Sequence, residues 1–299
     1  MKSSIFSEEE LVDKFENNWD PPSGWQNISE LSEQERISLC RKVLRRLHDY
    51  KAAVTLIDMS DQTTPQPLGS GVLVRGGNGY GVLTAGHVCT EVERRDLPNN
   101  QGLWCLPVLA ENRTGEPLRR IPLGGVKLRY SKDATVPDYG CIVMPTAKGR
   151  DAAAWGTFVN ITEEGRCRRK PLARLEHGVW VAAGYVEEKS RAKAIFLQYL
   201  IGAPEAVYQR AGLRYFYVID QNNEQGVPRS IAGMSGSGVW RLPVTRSRNE
   251  PTDEIGTPIL AGVSFRQEYC TSDEPLAFYA HDLESIADEV LQWLDGNHP

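Results

Sequence analysis

Gly-Ser-Gly-Val-Leu-Val-Arg-Gly-Gly-Asn-Gly-Tyr-Gly-Val-Leu-Thr-Ala-Gly-His, from Gly69 to His87, decides how the rest of the chain is read. Two short apolar runs, Ser70–Val74 and Tyr80–Thr84, flank Gly76-Gly77-Asn78-Gly79, which is a hairpin signal. The second run ends in Thr84-Ala85-Gly86, residues small enough for a tight turn at a strand end, and such a turn would aim the His87 imidazole into a cleft. Of the five histidines, His298 lies in the tail and His48 in a helical stretch, while His177 and His281 have no flanking motif.

Working outward, β-prone runs recur at Ala52–Ile57, Gly140–Met144, Val179–Ala183, Ile195–Leu197, Tyr215–Ile219, Gly238–Trp240 and Ile259–Val263. Many short strands with glycine turns point to barrels or sandwiches. Residues 1–50 read as helical, with capping boxes at Ser7/Glu10 and Ser32/Glu35 and a break at Asp20-Pro21-Pro22-Ser23-Gly24. In the second helical stretch, Ile37, Cys40, Val43, Leu44 and Leu47 recur at helical spacing. This extension is expected to pack on the main domain, with docking of a regulatory protein as its alternative role. An amphipathic helix follows Asp282, with Ile286, Val290, Leu291 and Leu294 on one side.

The 299 residues suffice for one large or two smaller domains, and 40% hydrophobic with 24% charged residues is ordinary for a globular chain. A net charge of −5 gives no reason to expect a nucleic-acid partner, and Arg166, Arg168, Arg169 and Lys170 read as a solvated loop. No apolar run reaches the ~18 residues that cross a bilayer, and no apolar segment of secretory length follows Lys2, so a cytoplasmic protein without a membrane partner is expected. The six cysteines stand singly, without a Cys-x-x-Cys pair, so free thiols and no structural zinc are expected.

Far downstream, Gly233-Met234-Ser235-Gly236-Ser237-Gly238 sets a serine among glycines. A serine hydroxyl is a poor nucleophile at neutral pH unless a base takes its proton and a third group holds that base. Together, Gly69–Val74 with Val82–Val88 and Gly233–Gly238 resemble the histidine and nucleophile motifs of trypsin-like (chymotrypsin-fold) serine proteases, in the form common in bacterial intracellular members. The resemblance covers about residues 52–295. It implies an all-β fold of two six-stranded antiparallel β-barrels with an N-terminal helical extension and a C-terminal helix. The expected division is 1–50 for the extension, 51–160 for the barrel with His and Asp, and 161–299 for the barrel with Ser plus the helix.

In that family the order is His, Asp, Ser. Asp138, in Pro137-Asp138-Tyr139-Gly140 just before an apolar strand, is the first candidate for the acid, and Asp133 is the fallback. The expected catalytic set is therefore His87, Asp138 and Ser235, with the backbone N–H groups of Gly233 and Ser235 as the oxyanion hole. Met234 stands where zymogen-activated members carry an aspartate, and no Ile-Val-Gly-Gly motif is present, so activation by N-terminal cleavage is not expected.

The resemblance further implies that Ser264 and Phe265, in Gly262-Val263-Ser264-Phe265, lie on the strand that pairs with substrate, Ser264 through its backbone and with its side chain near the triad acid. By residue count Arg229 falls near the base of the specificity pocket and Arg266 near its entrance, which suits a Glu or Asp side chain before the scissile bond. The partner is then a protein or peptide substrate, and the chemistry needs no cofactor and no metal. Three alternatives stay open: a catalytically inactive protease-fold module that binds peptides, an adaptor whose helical N-terminus is the working part, and an α/β-hydrolase using Ser235, Asp273 and His281.

Overall fold

A computed structural model describes residues 32, 34, 38–39, 42–43, 46–47, 50–58, 66–94, 101–107, 121–131, 138–154, 156–162, 179–185, 197–210, 213–220, 233–242, 244–246, 253–268 and 277–296. Along several of these strands only the backbone is described. The structure is mostly antiparallel β-sheet with a few helices.

The first sheet contains β1 (Lys51–Asp58), β2 (Gln66–Gly76), β3 (Gly79–Thr84), β4 (Gln101–Pro107), β5 (Ile121–Pro122), β6 (Lys127–Tyr130) and β7 (Gly140–Met144). They lie in the order β5-β4-β1-β2-β3-β7-β6. A short β8 (Val159–Asn160) adds to β2 in parallel. The expected hairpin forms, with Val72 opposite Leu83 and Gly76 opposite Gly79. Among the described residues β5 and β6, the two ends of this sheet, are not paired with each other, so the sheet is an open path.

Downstream, β9 (Val179–Tyr185), β10 (Leu197–Arg210), β11 (Leu213–Asp220), β12 (Gly238–Leu242), β15 (Ile259–Glu268) and β16 (Ala277–Asp282) pair in a ring, β10-β11-β16-β15-β12-β9. Strands β13 (Val244–Arg246) and β14 (Asp253–Ile255) form a separate hairpin. Among the described residues the continuous helices are α1 (Gly86–Arg94), α2 (Thr146–Ala153) and α3 (Leu283–Leu294). The Asp282 carboxylate caps α3 by accepting the Glu284 N–H, and Ile286, Val290 and Leu294 are buried as the periodicity predicts.

Strands β2, β3 and β7 are apolar on both faces, and each face has its own core. Leu73, Val82, Ile142 and Met144 point to one side, against Val54, Val88, Cys89 and Ala152. Val72, Val74, Leu83 and Cys141 point to the other. There they join Val181, Trp240, Leu242 and Val263 from the ring and Ile286, Val290 and Trp293 from α3. Burial on both faces explains the unbroken runs Gly-Val-Leu-Val and Cys-Ile-Val-Met, which a sheet with one wet face would not show.

The N-terminal segment enters this second core. Ser38, Leu39, Lys42, Val43, Arg46 and Leu47 are helical, and Leu39, Val43 and Leu47, spaced by four, are buried in the same cluster as Trp240. Leu39 was not among the positions expected from periodicity; Ile37, Cys40 and Leu44 lie outside the described residues, as does the capping box at Ser7. Tyr50 packs its ring 5.3 Å from that of Trp240. Val43 and Leu47 are fully buried, so Leu47→Ala should lower unfolding free energy by about 2–4 kcal/mol, as other buried leucine truncations do. Urea denaturation checks this, and an unchanged midpoint would show the helix to be dispensable to the core.

Candidate active site

His87 is the second residue of α1, and the N-terminal turn of a helix leaves backbone N–H groups without intrahelical acceptors. Asp138 supplies one acceptor from the strand-entry side of β7. Its Oδ1 accepts the His87 backbone N–H at 2.7 Å, and its Oδ2 lies 2.5 Å from His87 Nδ1. One carboxylate therefore caps the helix and orients the ring that the helix carries. The first turn of α1 has no acidic residue of its own, so Asp138 also supplies the negative charge that a helix N-terminus favours. A carboxylate against Nδ1 holds the proton there and leaves the Nε2 lone pair free to act as a base. The His87 side chain is 50% exposed and that of Asp138 35%, so this pair is open to solvent.

Gly86 is what lets the carboxylate come so close. A Cβ at position 86 would stand 2.6 Å from Asp138 Oδ1 and 3.1 Å from the Tyr139 carbonyl. The small residue before His87 is thus a clearance requirement rather than only a flexible turn.

Ser235 lies in a tight turn between Gly233, at φ +92°, and Gly236, at φ +87°. Both angles are in the left-handed region where a side chain is strained. The turn is bonded to the first sheet, since the Ser70 N–H donates to the Ser235 carbonyl at 2.8 Å. Gly69 sits between the His87 helix and the Ser235 turn: a Cβ there would meet Val88 of α1 at 2.6 Å and the Ser235 carbonyl at 3.1 Å. Among the described residues no hydrogen bond joins the Ser235 hydroxyl to His87; the imidazole bonds only to Asp138.

Ser264 occupies a different place from the one expected. Its N–H donates to the Ser237 carbonyl at 2.9 Å and its carbonyl accepts the Gly236 N–H at 2.8 Å. The N–H is unavailable to a substrate strand, and the hydroxyl turns to the Met234 carbonyl at 2.8 Å rather than to Asp138. Phe265 is the extra residue of a bulge in β15, because Ser264 pairs with Ala280 and Arg266 with Tyr279. The bulge lays Phe265 flat on His281, ring centroids 4.0 Å apart and planes 16° apart. Arg229, Asp133 and Asp273 lie outside the described residues, as does the side chain of Arg266.

Behind Asp138 the structure adds residues that the motif reading missed. His281, fully buried on β16, stacks on Phe265 and meets Tyr139 edge-on at 5.6 Å. Tyr139 in turn stacks on Trp293 of α3 and donates its hydroxyl to Glu289. Burial pushes the His281 pKa down to about 4, against the opposing pull of the Asp138 carboxylate and a hydrogen bond with its backbone. Burial also pushes the Cys89 thiol up to about 12, with the charges of Asp138 and Glu93 adding to it, so this free thiol near the site is not a nucleophile. A polar residue inside an otherwise apolar strand was the available signal for Ser70 and His281. Among the described residues no three His, Cys, Asp or Glu side chains cluster as a metal site, and no helix is long and apolar enough to cross a membrane.

No family model matches the chain, and no curated protein matches it. A search of solved structures finds the Drosophila Grass clip serine protease of the Toll pathway at 12% identity and a TM-score of 0.46, covering 84% of this chain and 70% of that one.

Between pH 6.5 and about 4 the unfolded chain binds a proton at His281 that the folded chain does not, so stability rises with pH across that window and is lost as pH falls through it. The loss from this residue should be on the order of 3 kcal/mol. Denaturation midpoints of His281→Phe should therefore depend less steeply on pH between 4 and 6.5 than those of the unaltered protein. Equal slopes would show that His281 titrates normally in the fold.

Proposed function

We propose that this chain is a trypsin-like serine endopeptidase that hydrolyses peptide bonds through an acyl-enzyme. What carries the reading is the double attachment of His87 to Asp138 beside a glycine-flanked serine turn. Ser235 attacks the scissile carbonyl while His87 Nε2 takes its proton and later returns one to the leaving amine. Asp138 holds the imidazole and supports its positive charge. The N–H groups of Gly233 and Ser235 receive the negative charge that develops on the carbonyl oxygen. The architecture in this proposal is chymotrypsin-like, with barrels at 51–160 and 161–299. The protein is of bacterial intracellular, cytoplasmic type, its partner is a peptide or protein substrate, and no cofactor enters the reaction. A regulatory protein would dock on the segment 1–50, away from the face that Leu39, Val43 and Leu47 bury.

The second reading is a catalytically inactive module that binds peptides. The observation in its favour is the missing hydrogen bond between Ser235 and His87, although such bonds are often long without substrate. A fluorophosphonate probe separates the two. The endopeptidase reading expects labelling that Ser235→Ala abolishes, and turnover reduced by about 10⁴-fold or more in Ser235→Ala, His87→Ala and Asp138→Asn. An unlabelled wild-type chain favours the binding module.

Two finer predictions belong to the same reading. Met234 is buried and uncharged where an activation ion pair would need an acid, so the labelled enzyme should have the mass of the uncleaved chain. Arg229 and Arg266 are proposed to select Glu or Asp before the scissile bond. In a peptide library, faster cleavage after Lys or Arg would reject that selectivity.

A further inference from the structure

Three consecutive carbonyls of the Ser235 turn are held inside the protein. That of Gly233 accepts the Ser70 hydroxyl at 2.8 Å. That of Met234 accepts the Ser264 hydroxyl at 2.8 Å and the Ser237 N–H at 2.8 Å. That of Ser235 accepts the Ser70 N–H at 2.8 Å. Among the described residues no peptide bond is cis, so the carbonyl of residue 234 and the N–H of residue 235 lie in one plane and point in opposite directions. Anchoring the Met234 oxygen inward therefore turns the Ser235 N–H outward. Among the described residues neither the Gly233 nor the Ser235 N–H is taken by a backbone carbonyl.

The two hydroxyls have no freedom to do otherwise. Ser70 is 1% exposed, and its oxygen already accepts the Tyr185 N–H at 2.7 Å, so its one proton goes to Gly233. Its carbonyl is fixed by the Thr84 hydroxyl at 2.7 Å. Ser264 is 4% exposed and gives its proton to Met234, which leaves Ser237 as the donor in the 2.8 Å contact between their hydroxyls. Ser70 comes from the first sheet and Ser264 from the ring, so the turn is gripped from both sides.

We propose that the Ser70 and Ser264 hydroxyls are positioning groups that preset the oxyanion hole, holding the Gly233 and Met234 carbonyls inward so that the hole exists without any ion pair to residue 234. This rests on the serine endopeptidase reading and names what keeps that site in working shape. Neither serine touches the reacting atoms. The Ser264 hydroxyl fixes the peptide that carries the Ser235 N–H; the Ser70 hydroxyl fixes the preceding peptide, between Gly233 and Met234, and so the backbone path that separates the two donors of the hole. A misaligned donor weakens the transition state more than it weakens substrate binding.

The test is the kinetics of fluorophosphonate labelling of the full-length chain, where the Ser235 oxygen displaces fluoride and the phosphoryl oxygen enters the hole. In Ser70→Ala and Ser264→Ala the second-order rate constant should fall about 10- to 100-fold while labelling still runs to completion. In peptide hydrolysis kcat should fall by a similar factor, with KM within about twofold of the unaltered value. Completed labelling counts folded sites, so a variant that misfolds loses amplitude and the other decides. Unaltered rate constants overturn the proposal alone, as does loss of amplitude without a slow phase in both variants. A wild-type chain that the probe never labels overturns the endopeptidase reading and this proposal with it.

Discussion

Strands β2, β3 and β7 cannot face water on either side, and the rest of the molecule follows from that constraint. Helices α1 and α2 lie on one side of the sheet, next to Leu73, Val82 and Ile142. The ring, α3 and the N-terminal helix share the core on the other side. Covering that second face brings the turn with Ser235 against Ser70 and beside Gly69, which also adjoins Val88, one residue from His87. The closeness of residues far apart in sequence is a consequence of apolar burial, the dominant favourable term in folding. Hydrogen bonds across the seam then fix the register to within ångströms.

Electrostatics at the site is economical. A single carboxylate, on Asp138, serves the first turn of α1 and the ring of His87. That carboxylate has a rigid backing: Tyr139 is stacked on Trp293 and bonded to Glu289, and His281 is stacked beneath Phe265. Aromatic contacts of this kind give orientation as well as burial. They connect β15, β16, the Asp138 segment and α3 without interruption.

Much of this was legible in the chain, and the failures have physical reasons. The hairpin from Ser70 to Thr84 and the strand from Gly140 were readable because uninterrupted apolar runs bounded by glycine have few alternatives. His87 was findable from the small residues before it, and Asp138 from the His, Asp, Ser order that the family resemblance implies. Strand β4, Gln101–Pro107, carries a glycine and ends in proline, and it reads as a loop until its pairing with β1 is seen. Strand β10 runs through Pro204, where the pairing register shifts to accommodate the missing N–H. Ser264 was misplaced because motif spacing fixes a residue's position along a strand but not which neighbour its hydroxyl meets. The bulge at Phe265 settles that, and no local pattern announces it. Leu39 was passed over for a similar reason: several helical faces near it carry apolar residues, and only the seat beside Trp240 selects one.

The burial of Leu39, Val43 and Leu47 against Trp240 and α3 has a consequence for biosynthesis. These leucines and the valine are synthesised well before Trp240 and α3, which share their core. The helix must wait, solvated and marginal on its own. A nascent chain can form its early sheet, but the wall that completes the core is still missing. The second core can therefore close only after α3 has been synthesised.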